Sequence, residues 1–146
     1  MEIKNARVRE DCLHSELTEK IIGTFYEVYN QLGFGFLESV YQKAMIIALK
    51  QTGFEAIAEA PIKVSFRGHE VGSFYADLLV ENRVILELKA ARAIESAHEA
   101  QILNYLRASD VEVGLLLNFG PRPQVRRLIF DNLRKISVHQ CSSVAD

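Results

Sequence analysis

Along the first third of the chain the apolar residues recur every three or four positions. Leu17, Ile21, Phe25, Val28 and Leu32 form one such stripe, which predicts a helix capped by Ser15 and stopped by Gly33-Phe34-Gly35. Val40, Ala44, Ile47 and Ala48 form a second stripe over residues 37–52, ended by Gly53. The implied entry unit is a pair of antiparallel helices joined by a short glycine hinge. The period then drops to two. Residues 61–66 alternate as a strand, Arg67-Gly68-His69 turns, and residues 70–80 return as a long strand. After a polar break at Glu81, Asn82 and Arg83 comes a third strand over residues 84–89. Helical spacing resumes over residues 94–108, with Ile94, Ile102 and Leu106 on one side. Residues 111–119, VEVGLLLNF, are apolar enough for a buried strand, closed by Gly120-Pro121-Arg122-Pro123. Residues 125–130 fit a short edge strand or the start of a helix. Residues 1–14 read as a lead-in, 15–138 as one domain and 139–146 as a tail. The order α-α-β-β-β-α-β, then an uncertain short element, is that of an α/β sandwich around a mixed sheet.

The second and third strands bring ionisable groups together. In residues 84–89, Glu87 and Lys89 share a face and Leu86 and Leu88 take the other. A one-residue slip in pairing would exchange the faces, so the loop length decides the neighbours. A three-residue turn at Glu81, Asn82 and Arg83 pairs Val80 with Val84, Leu78 with Leu86 and Asp77 with Glu87. A two-residue turn is commoner in hairpins but would strand one leucine in the polar layer. The odd loop is therefore expected. Opposed carboxylates repel, so a shared proton, the Lys89 ammonium or a bound divalent cation has to offset the repulsion.

Composition narrows the class. The chain has 146 residues, 49% hydrophobic and 25% charged, as in an ordinary globular domain. No segment has the length and apolarity of a membrane span, and residues 1–12 are charged where a signal peptide would be apolar, so a cytoplasmic location without membrane association is expected. Cys12 and Cys141 have no CxxC spacing and suggest neither zinc nor a disulfide framework. A net charge of −2 argues against strong nonspecific nucleic-acid binding over the whole surface. A local patch remains, since Arg122, Arg126, Arg127, Arg134 and Lys135 face only Asp131 in residues 119–135. Such a run is a solvated face or a phosphate contact through Arg122, Arg126 and Arg127.

Two further sets share a helix face. Glu38 and Tyr41 lie three apart in the first turn of the second helix, where a carboxylate also complements the helix dipole. His98, Gln101 and Tyr105 run along the border of the third helix's apolar stripe.

These motifs coincide in one family. GFGFLESVYQKA, with Gly35, Glu38 and Tyr41 spaced G-x-x-E-x-x-Y, resembles the signature of the GxxExxY family of small bacterial and archaeal proteins in the PD-(D/E)XK nuclease superfamily. YADLLVENRVILELKA resembles the superfamily's D…E-x-K core, and HEAQILNYLRAS with VGLLLNFG resembles the closing helix and strand. The resemblance covers residues 15 to 130 and implies a restriction-endonuclease-like fold. It further implies that Asp77, Glu87 and Glu38 hold a divalent metal, that Lys89 positions water or stabilises charge, and that Gln101 lines the same cleft. Tyr41, His98 and Tyr105 stand behind these groups. Ala76 replaces the superfamily's proline, and Tyr29 stands where relatives are expected to carry His.

The chemistry fits a metal-dependent phosphodiesterase acting on nucleic acid. A hard cation between carboxylates makes bound water more acidic and stabilises charge on a phosphoryl oxygen. Oxygen donors with no cysteine favour Mg²⁺, or Mn²⁺, over Zn²⁺. The competing reading is a non-catalytic nucleic-acid or protein binding module that keeps the fold, in a chain too small for a separate recognition domain. The geometric expectation is that Asp77, Glu87 and Glu38 converge with Lys89 on the same side, and that at least one carboxyl pKa is raised.

Overall fold

The structure is a computed structural model that describes residues 14–131. Its first helix, α1 (Ser15–Leu32), begins at Ser15. Ser15 is helical and its side chain does not cap; the start is set by His14, whose φ of 68° turns the chain into the helix. Beyond Leu32 the chain needs conformations that only glycine adopts cheaply. Gly33 has φ 70° and Gly35 φ 114°, and Leu37 then leads in extended form into α2 (Glu38–Gln51). Tyr41 locks this hinge from inside. Its hydroxyl donates to Gly33 O at 2.6 Å and accepts from Phe36 N at 3.3 Å, while its buried ring stacks on Phe119 at 4.1 Å.

Five strands follow in one sheet, with α3 (Ser96–Ala108) between the third and fourth. They are β1 (Ala56–Phe66), β2 (His69–Val80), β3 (Val84–Lys89), β4 (Val113–Phe119) and β5 (Pro123–Ile129), adjacent in that order. Neighbours are antiparallel except β3 and β4, which run parallel across the α3 crossover. β1 starts well before residue 61, and Pro61 lies inside it opposite Tyr75. A proline is tolerated there because β1 is an edge strand whose outer side needs no ladder donor. The ambiguous residues 125–130 belong mostly to the other edge strand, β5.

The sheet is covered on both faces, so the architecture is the expected α/β sandwich. On one face Ile21, Phe25 and Val28 of α1 and Tyr41, Met45 and Leu49 of α2 pack on Leu78, Leu86, Leu88, Leu115 and Leu117. On the other, Ile102, Tyr105 and Leu106 of α3 pack on Ile85 and Leu116. The β1–β2 ribbon belongs to both layers. Ala56, Leu78 and Val80 pack toward α1 and α2, whereas Ala60, Ile62 and Ala76 pack with the α3 cluster. Register is continuous from Ala58↔Leu78 to Ala60↔Ala76, so the ribbon turns over between them, at Glu59 (φ 54°) and Asp77. No described helix is long and apolar enough to cross a membrane.

Candidate active site

The β2–β3 hairpin has the odd loop. Glu81 and Asn82 both adopt left-handed conformations, Arg83 N donates to Val80 O at 2.9 Å, and the pairing is Val80↔Val84, Leu79↔Ile85 and Leu78↔Leu86. At the next pair the regular ladder stops. Asp77 N donates to Glu87 Oε2 at 2.9 Å and Leu88 N donates to Asp77 Oδ2 at 2.7 Å, so carboxylate oxygens stand in for backbone carbonyls where the strands part. Asp77 is also released from β1. Its carbonyl accepts from Gln42 Nε2 at 2.9 Å, and the same Nε2 donates to Glu59 Oε2 at 2.8 Å. The bend at Glu59 and the parting of β2 from β3 thus leave Asp77 held by side chains on both flanks.

This wedge is poorly hydrated and rich in negative charge. Glu87 is only 4% exposed, and burial, reinforced by the neighbouring Asp77 charge, pushes its pKa up to about 8. The Asp77 amide and the Lys89 ammonium oppose that shift without cancelling it. Burial also raises the Asp77 pKa, against the Leu88 amide and Lys89, with Glu38 and Glu59 adding repulsion. Lys89, half-buried and two residues beyond Glu87, is therefore the local positive charge. Glu38 approaches from the first turn of α2, where its Oε2 accepts a long 3.4 Å hydrogen bond from Ala90 N. Gln42 lies one turn further along α2, so Glu38 and Gln42 line the cleft while Tyr41 turns inward to the core.

The α3 residues divide. Gln101 Nε2 donates to Tyr105 OH at 3.1 Å. Burial raises the Tyr105 pKa, and the Glu87 and Asp77 charges add to the shift, which puts this pair at the edge of the carboxylate wedge. His98 serves the helix instead, since its Nδ1 accepts from Glu95 N at 3.1 Å and closes a capping box at the start of α3. The arginines do not form one patch. Arg126 points to α3, with Nε 3.5 Å from Glu99 Oε2. Arg127 is on the opposite face, where burial lowers its pKa and Glu19 of α1 opposes that shift. Arg122 is exposed in the β4–β5 turn, and Arg134 and Lys135 lie outside the described residues. Tyr29, at the position where His was expected, donates to Gly120 O at 2.7 Å and Pro121 O at 3.0 Å, fastening α1 to the β4–β5 turn.

Further residues support the site without having stood out in the sequence. Asn118, buried at the end of β4, accepts from Ala91 N at 2.9 Å, and its Nδ2 donates to Ala91 O at 3.0 Å and Gln124 Oε1 at 3.2 Å. Gln124 Oε1 also accepts from Ile94 N. These bonds fix the segment that leaves β3 after Lys89 and leads to α3. Gly120 allows the approach, since a Cβ there would lie 2.2 Å from Ala91 O. A signal for Asn118 existed, as the single amide in an otherwise apolar strand demands a partner. Gln42, four residues after Glu38, and Glu59 carried no comparable mark.

Whether this donor set suits a hard divalent cation follows from its chemistry. Asp77, Glu87, Glu38 and Glu59 supply oxygen only, and the raised carboxyl pKa values record burial first and, after it, like charge that a cation would relieve. Three of the oxygens are engaged by backbone amides, and among the described residues no group of three His, Cys, Asp or Glu side chains is placed to hold a metal ion. The oxygen chemistry of the wedge suits such an ion, but the expected convergence of Asp77, Glu87 and Glu38 on one coordination sphere is not formed in this structure.

A model of the PD-(D/E)XK nuclease superfamily matches residues 15–128. Among solved structures, one described as "Crystal structure of SSO0001" is 19% identical with a TM-score of 0.48, the match covering 62% of this chain and 48% of that one. The chain thus spans about half the length of that relative. No curated protein matches.

Proposed function

Because the chain belongs to the PD-(D/E)XK nuclease superfamily, we propose that it is a phosphodiesterase, dependent on Mg²⁺ or Mn²⁺, that hydrolyses a nucleic-acid backbone. The observation that carries this reading is the meeting of Asp77 and Glu87 in the parted ladder, with the pKa of the buried Glu87 raised to about 8. Asp77, Glu87 and Glu38 are the residues that would hold the ion. A bound divalent cation supplies charge stabilisation at a phosphoryl oxygen and a more acidic water.

The chain's own groups do the rest. Asp77 and Glu87 are positioned by the Leu88 and Asp77 amides, so neither reorganises when charge arrives. Lys89 adds a fixed positive charge beside them and faces the developing negative charge of the reacting phosphate. Gln101, oriented by Tyr105, borders the cleft and donates to a phosphate oxygen or to water. The GxxExxY motif gives this proposal its subfamily: the two hinge glycines set the entry of α2 and so aim Glu38 at Ala90.

Cleavage of single-stranded, duplex and branched DNA and of RNA, with and without Mg²⁺ or Mn²⁺, tests the reading. Metal-dependent cutting that is lost in Asp77→Asn supports it. No cutting of any substrate, together with no metal binding by calorimetry, would instead indicate a binding module that keeps the fold.

A further inference from the structure

Between α3 and the outer half of the β1–β2 ribbon lies a cavity of about 790 Å³. That is within the range of roughly 300–1,000 Å³ typical of ligand sites. Its chemistry is the reverse of the wedge beside it. Three carboxylates gather around that of Asp77, yet none of the four lines the cavity, whose charged residues are Lys63 and Arg107. In a chain of net charge −2 this is a local cationic pocket.

The lining also offers a flat apolar face and amides. Phe74 is 47% exposed, with its ring 5.9 Å from that of Tyr105 and tilted by 38°. Gln101 and Asn104, three apart on α3, bring side-chain amides to the same wall. Arg107 is held in place, donating to Asn104 Oδ1 at 3.1 Å and lying over the Phe130 ring at 4.9 Å. Tyr105 also packs in one buried cluster with Ala76, the residue before Asp77, so the cavity and the carboxylate wedge share a wall at Tyr105.

We propose that this cavity receives an unpaired nucleobase next to the phosphodiester at Asp77 and Glu87, which makes the substrate single-stranded or locally unpaired nucleic acid. The inference rests on the nuclease reading above and specifies its substrate class. Within a duplex a base has both faces stacked and its pairing edge engaged. Only a freed base can lie against Phe74 and turn that edge to Asn104. Lys63 and Arg107 then neutralise flanking phosphates.

The test is a fluorescence-anisotropy titration of the full chain with a labelled oligothymidylate and with a blunt duplex of equal length, in EDTA so that nothing is cut. The single strand is expected to bind more tightly than the duplex. Phe74→Ala should weaken single-strand binding about tenfold, as loss of a stacking platform does, and Phe74→Tyr should retain it. Lys63→Ala should weaken binding and reduce its salt dependence. Because Phe74 is half-exposed, the fold is checked by circular dichroism. Equal binding of both forms, binding of neither, or full affinity in Phe74→Ala overturns the proposal. If metal-dependent cutting persists in that case, the nuclease reading stands without this cavity. Conversely, Phe74-dependent single-strand binding with neither metal binding nor cutting keeps the cavity and rejects the nuclease.

Discussion

At the turn end of the β2–β3 hairpin, Val80 faces Val84 and Leu78 faces Leu86, all fully buried and joined by ordinary backbone pairing. One position further on, Asp77 and Glu87 occupy the same two strands, and carboxylate oxygens accept from backbone amides. The first end is held by apolar burial and is insensitive to proton concentration. The second is held by hydrogen bonds to groups that resist ionising. A single hairpin therefore contains a scaffold and, directly continuous with it, a region whose stability the scaffold has to carry.

The largest effect is expected at the closed end. Leu86→Ala should cost about 2–5 kcal/mol, the usual range for a large-to-small change in a packed core. Denaturant unfolding at two pH values checks this, and the loss should be the same at both. A loss that varied strongly with pH would mean the two ends are not separate.

Glu87→Gln is the matching change at the open end, since it keeps an oxygen for the Asp77 amide and removes the charge. The folded pKa of about 8 lies above the ordinary 4.5, so the folded chain holds this proton more tightly than the unfolded chain. That contribution is complete below 4.5 and is lost as pH rises through about 8, and the raised Asp77 pKa acts in the same direction. The wild type should lose stability across this window, and Glu87→Gln should flatten the slope. Above the window the variant should be the more stable protein, by on the order of 1–4 kcal/mol. Thermal melts across the pH range would show an unchanged slope if burial of Glu87 were not the cause.

Metal sharpens the same contrast. At a hundredfold excess over Kd, Mg²⁺ should stabilise the wild type by about 2.7 kcal/mol. The shift should shrink below the raised Glu87 pKa, where a proton competes, and should be nearly absent in Glu87→Gln. Leu86→Ala should retain it. A smaller effect is expected from Gln42→Ala, which leaves the Asp77 carbonyl without its side-chain donor and should cost about 1 kcal/mol. If that variant also weakens the Mg²⁺ shift, Gln42 positions Asp77 as well as satisfying it.

The hairpin was the most legible part of the sequence. Parity alone specified which leucines share the core side, and a wrong loop length would have buried a carboxylate among them. The first helix was legible for the same reason, but in α2 the stripe of Val40, Ala44, Ile47 and Ala48 misled: Tyr41, Met45 and Leu49 face the sheet, while Val40 and Ile47 are exposed. What could not be read were contacts that depend on departures from regular geometry. The parting of β2 from β3 at Asp77 and the bend at Glu59 give Gln42 its two acceptors, and no spacing announces either. Position 15 misled for a local reason: serine suits a cap, but His14 takes the left-handed turn and Ser15 is already helical. The basic run misled through strand alternation, which sends the adjacent Arg126 and Arg127 to opposite faces.

Amide protons in a β-ladder ordinarily report only how often the ladder opens. Those of Asp77 and Leu88 differ, because their acceptors are themselves acids. When Glu87 takes up its proton, the acceptor of the Asp77 amide becomes a weaker partner, and the amide's nitrogen and proton resonances should move with it. The Leu88 amide does the same for Asp77. The chain thus carries two built-in gauges of the charge in its cleft, readable residue by residue in a two-dimensional amide spectrum without substrate, added label or any change of sequence.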